Sequence, residues 1–325
     1  DPPEADEPLE FLPGLIGASI SVRTLGEKVR RAARSEYPVA IFGETGTGKE
    51  NVARAVHLLS PRRGRPFVAF NAASLSDELL ESELFGHCRG AFTGAQNDRE
   101  GLVEAAKGGT LFIDEVADLT ARAQARLLRF LQDGRYRRVG ETVEKTADVR
   151  IVVAANQPLE HLVANGRFRE DLFYRLNVIP LTVPPLRQRG RDIVRLARHF
   201  VRKASGGESR LSPDAEARLM AHVWPGNVRE LEQEMKRAVV LSSEPLIPWA
   251  PPSLPVVSRL EAPGRGRTEP ADLTAGALPL SEALIAMERQ LVRSVLAACP
   301  ARTEAARRLG ISRQALHQKI VRLGL

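Results

Sequence analysis

Residues 43–50 read Gly43-Glu44-Thr45-Gly46-Thr47-Gly48-Lys49-Glu50, directly after the apolar run VAIF and directly before a helix-period segment carrying Val52, Val56 and Leu59. The glycines let the backbone curl until its N–H groups converge on one point, and the helix that follows adds its partial positive charge there. Lys49 then reaches the outer end of a bound phosphate chain. A strand, a glycine-rich turn and a helix in that order begin a parallel α/β sheet, so the stretch sets the fold class as well as the chemistry. The Ser or Thr that usually follows the lysine and binds Mg²⁺ is replaced by Glu50, which leaves more of the metal's coordination to other groups.

A phosphate loop needs a second half, an apolar strand ending in acids. Thr110-Leu111-Phe112-Ile113-Asp114-Glu115 supplies it. Both carboxylates fall at the carboxyl end of a strand, where α/β sheets bind ligands, with Asp114 to hold Mg²⁺ and Glu115 to polarise the attacking water. Alone, the stretch reads as an ordinary strand and polar turn; beside 43–50 it reads as a metal and water site. Asn71 follows the run FVAF and Asn156 the run VVAA, each either near a terminal phosphate or simply a turn residue. Phosphoryl transfer also needs forked positive charge, for which Arg169 and Arg175 in FREDLFYRL and Arg229 in WPGNVREL are the candidates. Singly, each reads more readily as a surface ion pair, since the chain has forty arginines.

Outward from the loop, short β-branched runs at 39–42, 67–70, 110–113, 149–154 and 178–181 alternate with helical segments. After 183 only helices are expected, near 191–204, 212–222 and 227–241, the last opened by Asn227 with Glu230 as a capping box. Residues 243–279 hold 8 of the 22 prolines and read as a linker. The expected division is an acidic linker or terminus at 1–13, an α/β subdomain at 14–183, a helical lid at 184–242, a Pro-rich linker at 243–280 and a small all-α domain at 281–325. The missing initiator Met points to a processed or truncated chain.

Composition bounds the rest. Hydrophobic residues at 43% and charged residues at 27% of 325 are globular values. No apolar run nears the ~18 residues that cross a bilayer, and the start DPPEADEPLE is no signal peptide. Cys88 and Cys299 lack metal-ligand spacing and fit a reducing cytoplasm. Net charge is +7, and residues 281–325 carry eight bases against three acids, which suits a polyanionic partner or simply a solvated basic face. In that tail Thr303 and Ser312 are placed to cap two short helices joined at Gly310. Ala305 and Ala306 would sit at their crossing, with Arg313, Gln314, His317 and Gln318 on one face, the pattern of a helix-turn-helix. Leu284, Leu291 and Val295 form an apolar stripe before it.

Taken in order, GETGTGKE, ELFGHCRGAFTGA, GGTLFIDE, FREDLFYRL and WPGNVREL make the chain resemble the bacterial enhancer-binding proteins that activate sigma-54 RNA polymerase, a branch of the AAA+ ATPases. The resemblance covers about 15–241 and resumes at 281–325, where the tail is similar to a Fis-type DNA-binding domain. Glu50 is usual in this family. The resemblance implies ATP with Mg²⁺, contacts from Gly43 through Glu50, Asn71 as a switch restraining Glu115, and Asn156 as sensor I. It further implies Arg169 and Arg175 as fingers reaching a neighbouring subunit, Arg229 as sensor II, and Leu15-Ile16-Gly17 against the adenine. Shared sites imply a ring of identical chains, with a hexamer active and a dimer inactive; the lack of a bilayer-length apolar run gives no membrane partner to expect.

Gly90-Ala91-Phe92-Thr93-Gly94-Ala95 is the family's most specific motif, and the resemblance implies that this loop grips sigma-54. An aromatic flanked by Gly and Ala has little to cover it, which suits partner contact. The alternative is a hairpin tip whose Phe packs back on its own domain. The whole then implies an activator that remodels the closed promoter complex while tethered to enhancer DNA. Two other classes remain at this level: an unfoldase-like AAA+ machine, which would not need residues 90–95, and a DNA-binding regulator with a degenerate ATPase.

Overall fold

A computed structural model describes residues 10–74, 77–92, 94–242 and 244–251, and in the tail residues 289, 292, 296, 305–306 and 313–323. Thr93, most of the Pro-rich stretch, Leu284, Leu291, Val295, Thr303, Gly310 and Ser312 lie outside these residues. The chain divides into two compact units, Asp1–Ser253 and Leu254–Leu325.

In the first unit β1 (Val39–Phe42), β2 (Phe67–Asn71), β3 (Thr110–Asp114), β4 (Arg150–Ala155) and β5 (Ile179–Thr182) form a parallel sheet in the order β5-β1-β4-β3-β2. The inner strands β1, β3 and β4 read as largely apolar runs because both faces are covered. Leu111, Ile113, Ile151 and Val153 face one layer, with α3 (Asp77–Phe85), α4 (Leu102–Ala105), α5 (Ala121–Asp133), α6 (Leu159–Ala164) and α7 (Glu170–Leu176) supplying Leu84, Val103, Leu127, Leu159 and Leu172. Phe112, Val152, Val39 and Ile41 face the other, against Val22, Val29, Val52 and Val56 of α1 (Ile20–Ala33) and α2 (Lys49–Leu58). Arg150 is buried in β4 and donates to Ala32 O (2.7 Å) and Ala33 O (3.2 Å), so a side chain of the sheet caps the carboxyl end of α1.

All five strands lie within a residue of their expected places. Unanticipated are pairings two or three residues long, which have too few residues to show a period: Glu10–Leu12 with Leu15–Ile16, Gly86–His87 with Arg99–Glu100, and Arg135–Tyr136 with Lys145–Thr146. The first lies partly within the stretch read as a linker or terminus, and its Leu12 and Leu15 are buried.

The lid is α8 (Asp192–Ser205), α9 (Pro213–Ala221) and α10 (Asn227–Leu241), around Leu196, Leu219, Leu231 and Met235. Trp224 and Trp249 stack at 5.4 Å within this core. A short parallel pairing of Arg210–Leu211 with Leu246–Ile247 closes it, a strand contact beyond the all-helical expectation. The capping of α10 differs from the sequence reading. Gly226 is the cap residue, and its N–H donates to Glu230 Oε2 at 2.7 Å. Asn227 has φ 54°, and its side chain leaves its own helix altogether.

In the second unit α11 (Arg313–Leu323) packs Leu316, Ile320 and Leu323 on Val292, Ala305 and Ala306, with Arg289 Nε donating to Leu323 O at 2.8 Å.

Candidate active site

The loop 43–48 joins β1 to α2 at the carboxyl end of the sheet, and Gly46 and Gly48 hold φ 78° and 95°, backbone that only glycine adopts without strain. Gly46 is also packed so closely that a β-carbon on it would lie 2.3 Å from Gly226 O. Lys49 is buried, its Nζ donating to Gly43 O at 2.9 Å and to Glu44 O at 3.5 Å. The ammonium thus lies over the loop, where phosphate oxygens can replace these carbonyls. Glu50 turns to Arg54 at 2.7 Å on the same helix.

Beside it, β3 delivers Asp114 and Glu115. Asp114 is in register with Asn71 on β2, and its Oδ1 accepts the N–H of Glu115 at 3.0 Å. Glu115 takes a left-handed backbone, φ 52°, unusual for a residue with a β-carbon. Its Oε2 is buried without a hydrogen-bond partner. Burial pushes its carboxyl above the ordinary glutamate range, aided by Asp114 and Asp118 and opposed by Lys49. An acceptor held ready and partly desolvated is the state of a group that polarises water. The side chain of Asn71 is engaged in its own turn, Oδ1 accepting Ala73 N–H at 2.9 Å. Asn156 follows β4 directly and is exposed.

A cavity of about 390 Å³ opens beside the loop. Leu15, Ile16, Leu196, Phe200 and Val228 give it apolar walls, Thr47 and Gly48 line it from the phosphate loop, and Lys203 and Glu232 add polar groups. An apolar slot contiguous with an anion cradle suits a flat base joined to a phosphate chain.

The three candidate arginines are placed differently. Arg229 stands exposed in the first turn of α10, and its N–H donates to Gly46 O at 3.2 Å. Arg169, at the start of α7, pairs with Asp171 at 2.8 Å, while its N–H donates to Gln124 Oε1. Arg175 is exposed on α7 without an ion-pair partner among the described residues.

Sequence reading missed a set of lid residues at the phosphate loop. Glu44 pairs with Arg187 (2.5 and 2.8 Å) and accepts from Asn227 Nδ2 at 3.1 Å, contacts that bring its pKa down to about 2. Asp192 is fully buried and accepts from Ala18 N and Ser19 N at 2.8 and 2.9 Å. These partners are 143 to 183 residues apart in the chain, so no local pattern announces them. His199 lines the cavity as well, and helix periodicity in α8 was its sole signal.

Residues 90–95 sit on the Gly86–His87 stem. Gly90 N–H donates to Ala95 O at 2.8 Å, closing the loop on itself. Phe92 is half-buried, its ring edge-to-face with His87 at 5.0 Å, and His87 Nδ1 is 2.6 Å from Ser82 Oγ. The uncovered aromatic expected from the sequence therefore has a seat, made by a histidine two residues beyond Phe85 at the end of α3. The hairpin at 134–147 supports this seat. Cys88 N–H donates to Val139 O, Val139 N–H donates to Gly86 O, and Gly140 abuts Ala91. In α11, Gln314 and His317 are exposed; Arg313 and Gln318 belong to the same helix.

No protein-built metal cluster occurs among the described residues, and no helix among them is long and apolar enough to cross a membrane.

Known proteins share these features. Residues 15–182 match the sigma-54 interaction domain, 187–254 the AAA+ ATPase lid domain, and 284–323 the bacterial regulatory protein, Fis family. The chain is 43% identical to the response regulator protein PilR of Pseudomonas aeruginosa, over 99% of its own length and 72% of PilR. It is 43% identical to the DNA-binding transcriptional regulator NtrC of Salmonella typhimurium, over 96% of this chain and 70% of NtrC. With the Nif-specific regulatory protein of Klebsiella pneumoniae it shares 49% identity but spans only 46% of that protein. The crystal structure of NtrX from Brucella abortus in complex with ADP superposes with a TM-score of 0.68 at 36% identity, covering 96% of this chain and 69% of NtrX. The chain therefore belongs to the sigma-54 activators, AAA+ ATPases with a Fis-type DNA-binding domain.

Proposed function

We propose that the chain hydrolyses ATP in a ring of its own copies, a hexamer when active, in the cytoplasm. The energy remodels the closed complex of sigma-54 RNA polymerase while residues 281–325 hold enhancer DNA. The observation that carries this reading is the convergence of Lys49, Asp114 and Glu115 at one end of the sheet, with Glu115 Oε2 buried and unpartnered.

In this reading Lys49 leaves the carbonyls of Gly43 and Glu44 for the outer phosphates, and the N–H groups of the loop hold the rest. Mg²⁺ fits the site, because a half-exposed Asp114 beside a phosphate cradle is the sparse carboxylate set that this ion takes together with substrate oxygens. When bound, it would neutralise phosphate charge. Glu115 orients the attacking water, and Asn156 faces the terminal phosphate. Asn71 restrains Glu115 in one state by donating from its Nδ2 to the carboxylate, which its Oδ1 bond from Ala73 N–H leaves possible. Arg169 and Arg175 act on the nucleotide of the neighbouring subunit, and Arg169 exchanges Asp171 for phosphate. Arg229 acts from the lid of its own chain. Gly90, Ala91, Phe92, Thr93, Gly94 and Ala95 grip sigma-54, and Arg313, Gln314, His317 and Gln318 face DNA.

Thr93→Ala tests the coupling. The variant is expected to hydrolyse ATP near the wild-type rate yet fail to bind sigma-54 with a transition-state analogue and fail to open promoters. A loop that moves without a differential contact transmits no free energy. Normal promoter opening by this variant would replace the reading with a general AAA+ remodelling role.

A further inference from the structure

Three consecutive carbonyl groups of the phosphate loop are held from the lid side. Thr45 O accepts from Asn227 Nδ2 at 3.1 Å. Gly46 O accepts the N–H groups of Val228 and Arg229 at 2.9 and 3.2 Å. Thr47 O accepts Arg189 Nη2 at 2.8 Å. Arg189 is 2% exposed and donates through Nε and Nη2 to Pro184 O as well, at 3.0 and 2.9 Å. Burial pulls its pKa down to about 10, countered by Asp192, so it stays charged at neutral pH. Asn227 is fully buried, and its Oδ1 accepts Leu186 N–H at 2.8 Å, which ties the same amide to the segment between sheet and lid.

The peptide bonds of the described residues are all trans. In a planar trans unit the carbonyl of one residue and the N–H of the next point in opposite directions. Fixing the carbonyls of Thr45 and Thr47 on the lid therefore turns the N–H groups of Gly46 and Gly48 the other way, toward the inside of the loop. The N–H between them, that of Thr47, is spent within the loop on Glu44 O at 3.3 Å. We infer that Asn227 and Arg189 are positioning residues that set the phosphate-binding N–H groups before nucleotide arrives. Neither touches the phosphates in this scheme; each acts through a peptide plane. Donors already aimed cost no reorganisation on binding, so the contribution falls on the phosphates and not on the base.

This rests on the nucleotide reading above, and its test separates the two. Wild type and Asn227→Asp, each with all 325 residues, are titrated with ADP and, by competition, with adenosine. Aspartate keeps the acceptor for Leu186 N–H, loses the donor to Thr45 O and sets a second carboxylate beside Glu44. ADP affinity is expected to fall about tenfold or more while adenosine affinity stays within about threefold. Arg189→Lys retains the charge, cannot span Thr47 O and Pro184 O with a fork, and is expected to show the same split if the aspartate variant does not fold. A residue that merely holds the lid together would weaken both ligands alike. Equal loss for both, or unchanged ADP affinity in either folded variant, overturns the inference. Wild type that binds no ADP overturns the nucleotide reading and this inference with it.

Discussion

Gly17 lies so close to Asp192 that a β-carbon built on it would stand 2.7 Å from Oδ2. That carboxylate is already committed to the N–H groups of Ala18 and Ser19, so it has no room to yield without losing them. Gly17→Ala is expected to destabilise the first unit by about 1–3 kcal/mol, measured as a lower midpoint in denaturant. An unchanged midpoint would show that the lid can rock away freely at this contact. Burial of Asp192 opposes its charged form, but hydrogen bonds from Ser19 and Ala18 and from Arg195 outweigh this and hold its pKa below the ordinary value. Its contribution is therefore complete above the unfolded aspartate pKa of about 3.9 and is lost as pH falls through the lower folded value. The Asp192→Asn variant should lack that part of the acid transition.

Lys49→Ala is expected to abolish ATP binding, whereas Glu115→Gln should bind and not turn over. Because burial raises the Glu115 pKa, the acid limb of kcat for ATP hydrolysis should lie above the ordinary glutamate range. A kcat that stays flat down to pH values below that range would remove Glu115 from the water-polarising role.

Arg169→Ala chains mixed with Glu115→Gln chains should regain ATPase activity that neither has alone, since some interfaces then join an intact Glu115 to an intact Arg169. No recovery at any ratio, in rings shown to mix, would place the arginine's action within its own chain.

Arg313→Ala should weaken specific DNA binding by roughly 1–3 kcal/mol and leave ATP turnover alone, and wild-type affinity should fall steeply with salt. A salt-insensitive interaction would speak against phosphate contacts by α11.

The legible and the hidden parts of this protein differ by sequence distance. Strands β1, β3 and β4 are apolar runs whose ends name the site residues Gly43, Asp114 and Asn156, so fold and chemistry are written side by side. The order of the strands in the sheet and the lid contacts of the loop are pairings across the chain. Asn227 illustrates the limit. Its Asn-x-x-Glu spacing is a correct local signal of a helix start, yet tertiary contacts with Thr45 and Leu186 claim its side chain, and Glu230 serves the residue before it. Phe92 illustrates another, since neighbours of type Gly and Ala say nothing of a histidine five residues upstream that folds beneath it.

The backbone bonds of Val139 to Gly86 and Cys88 mean that the 90–95 loop does not stand on its stem alone. A transplant of those six residues onto another AAA+ scaffold would carry the words of the motif without the plinth beneath them. Grafts should therefore be cut to include 134–147 together with 86–100, since that hairpin begins at Gly134, the cap at the end of α5.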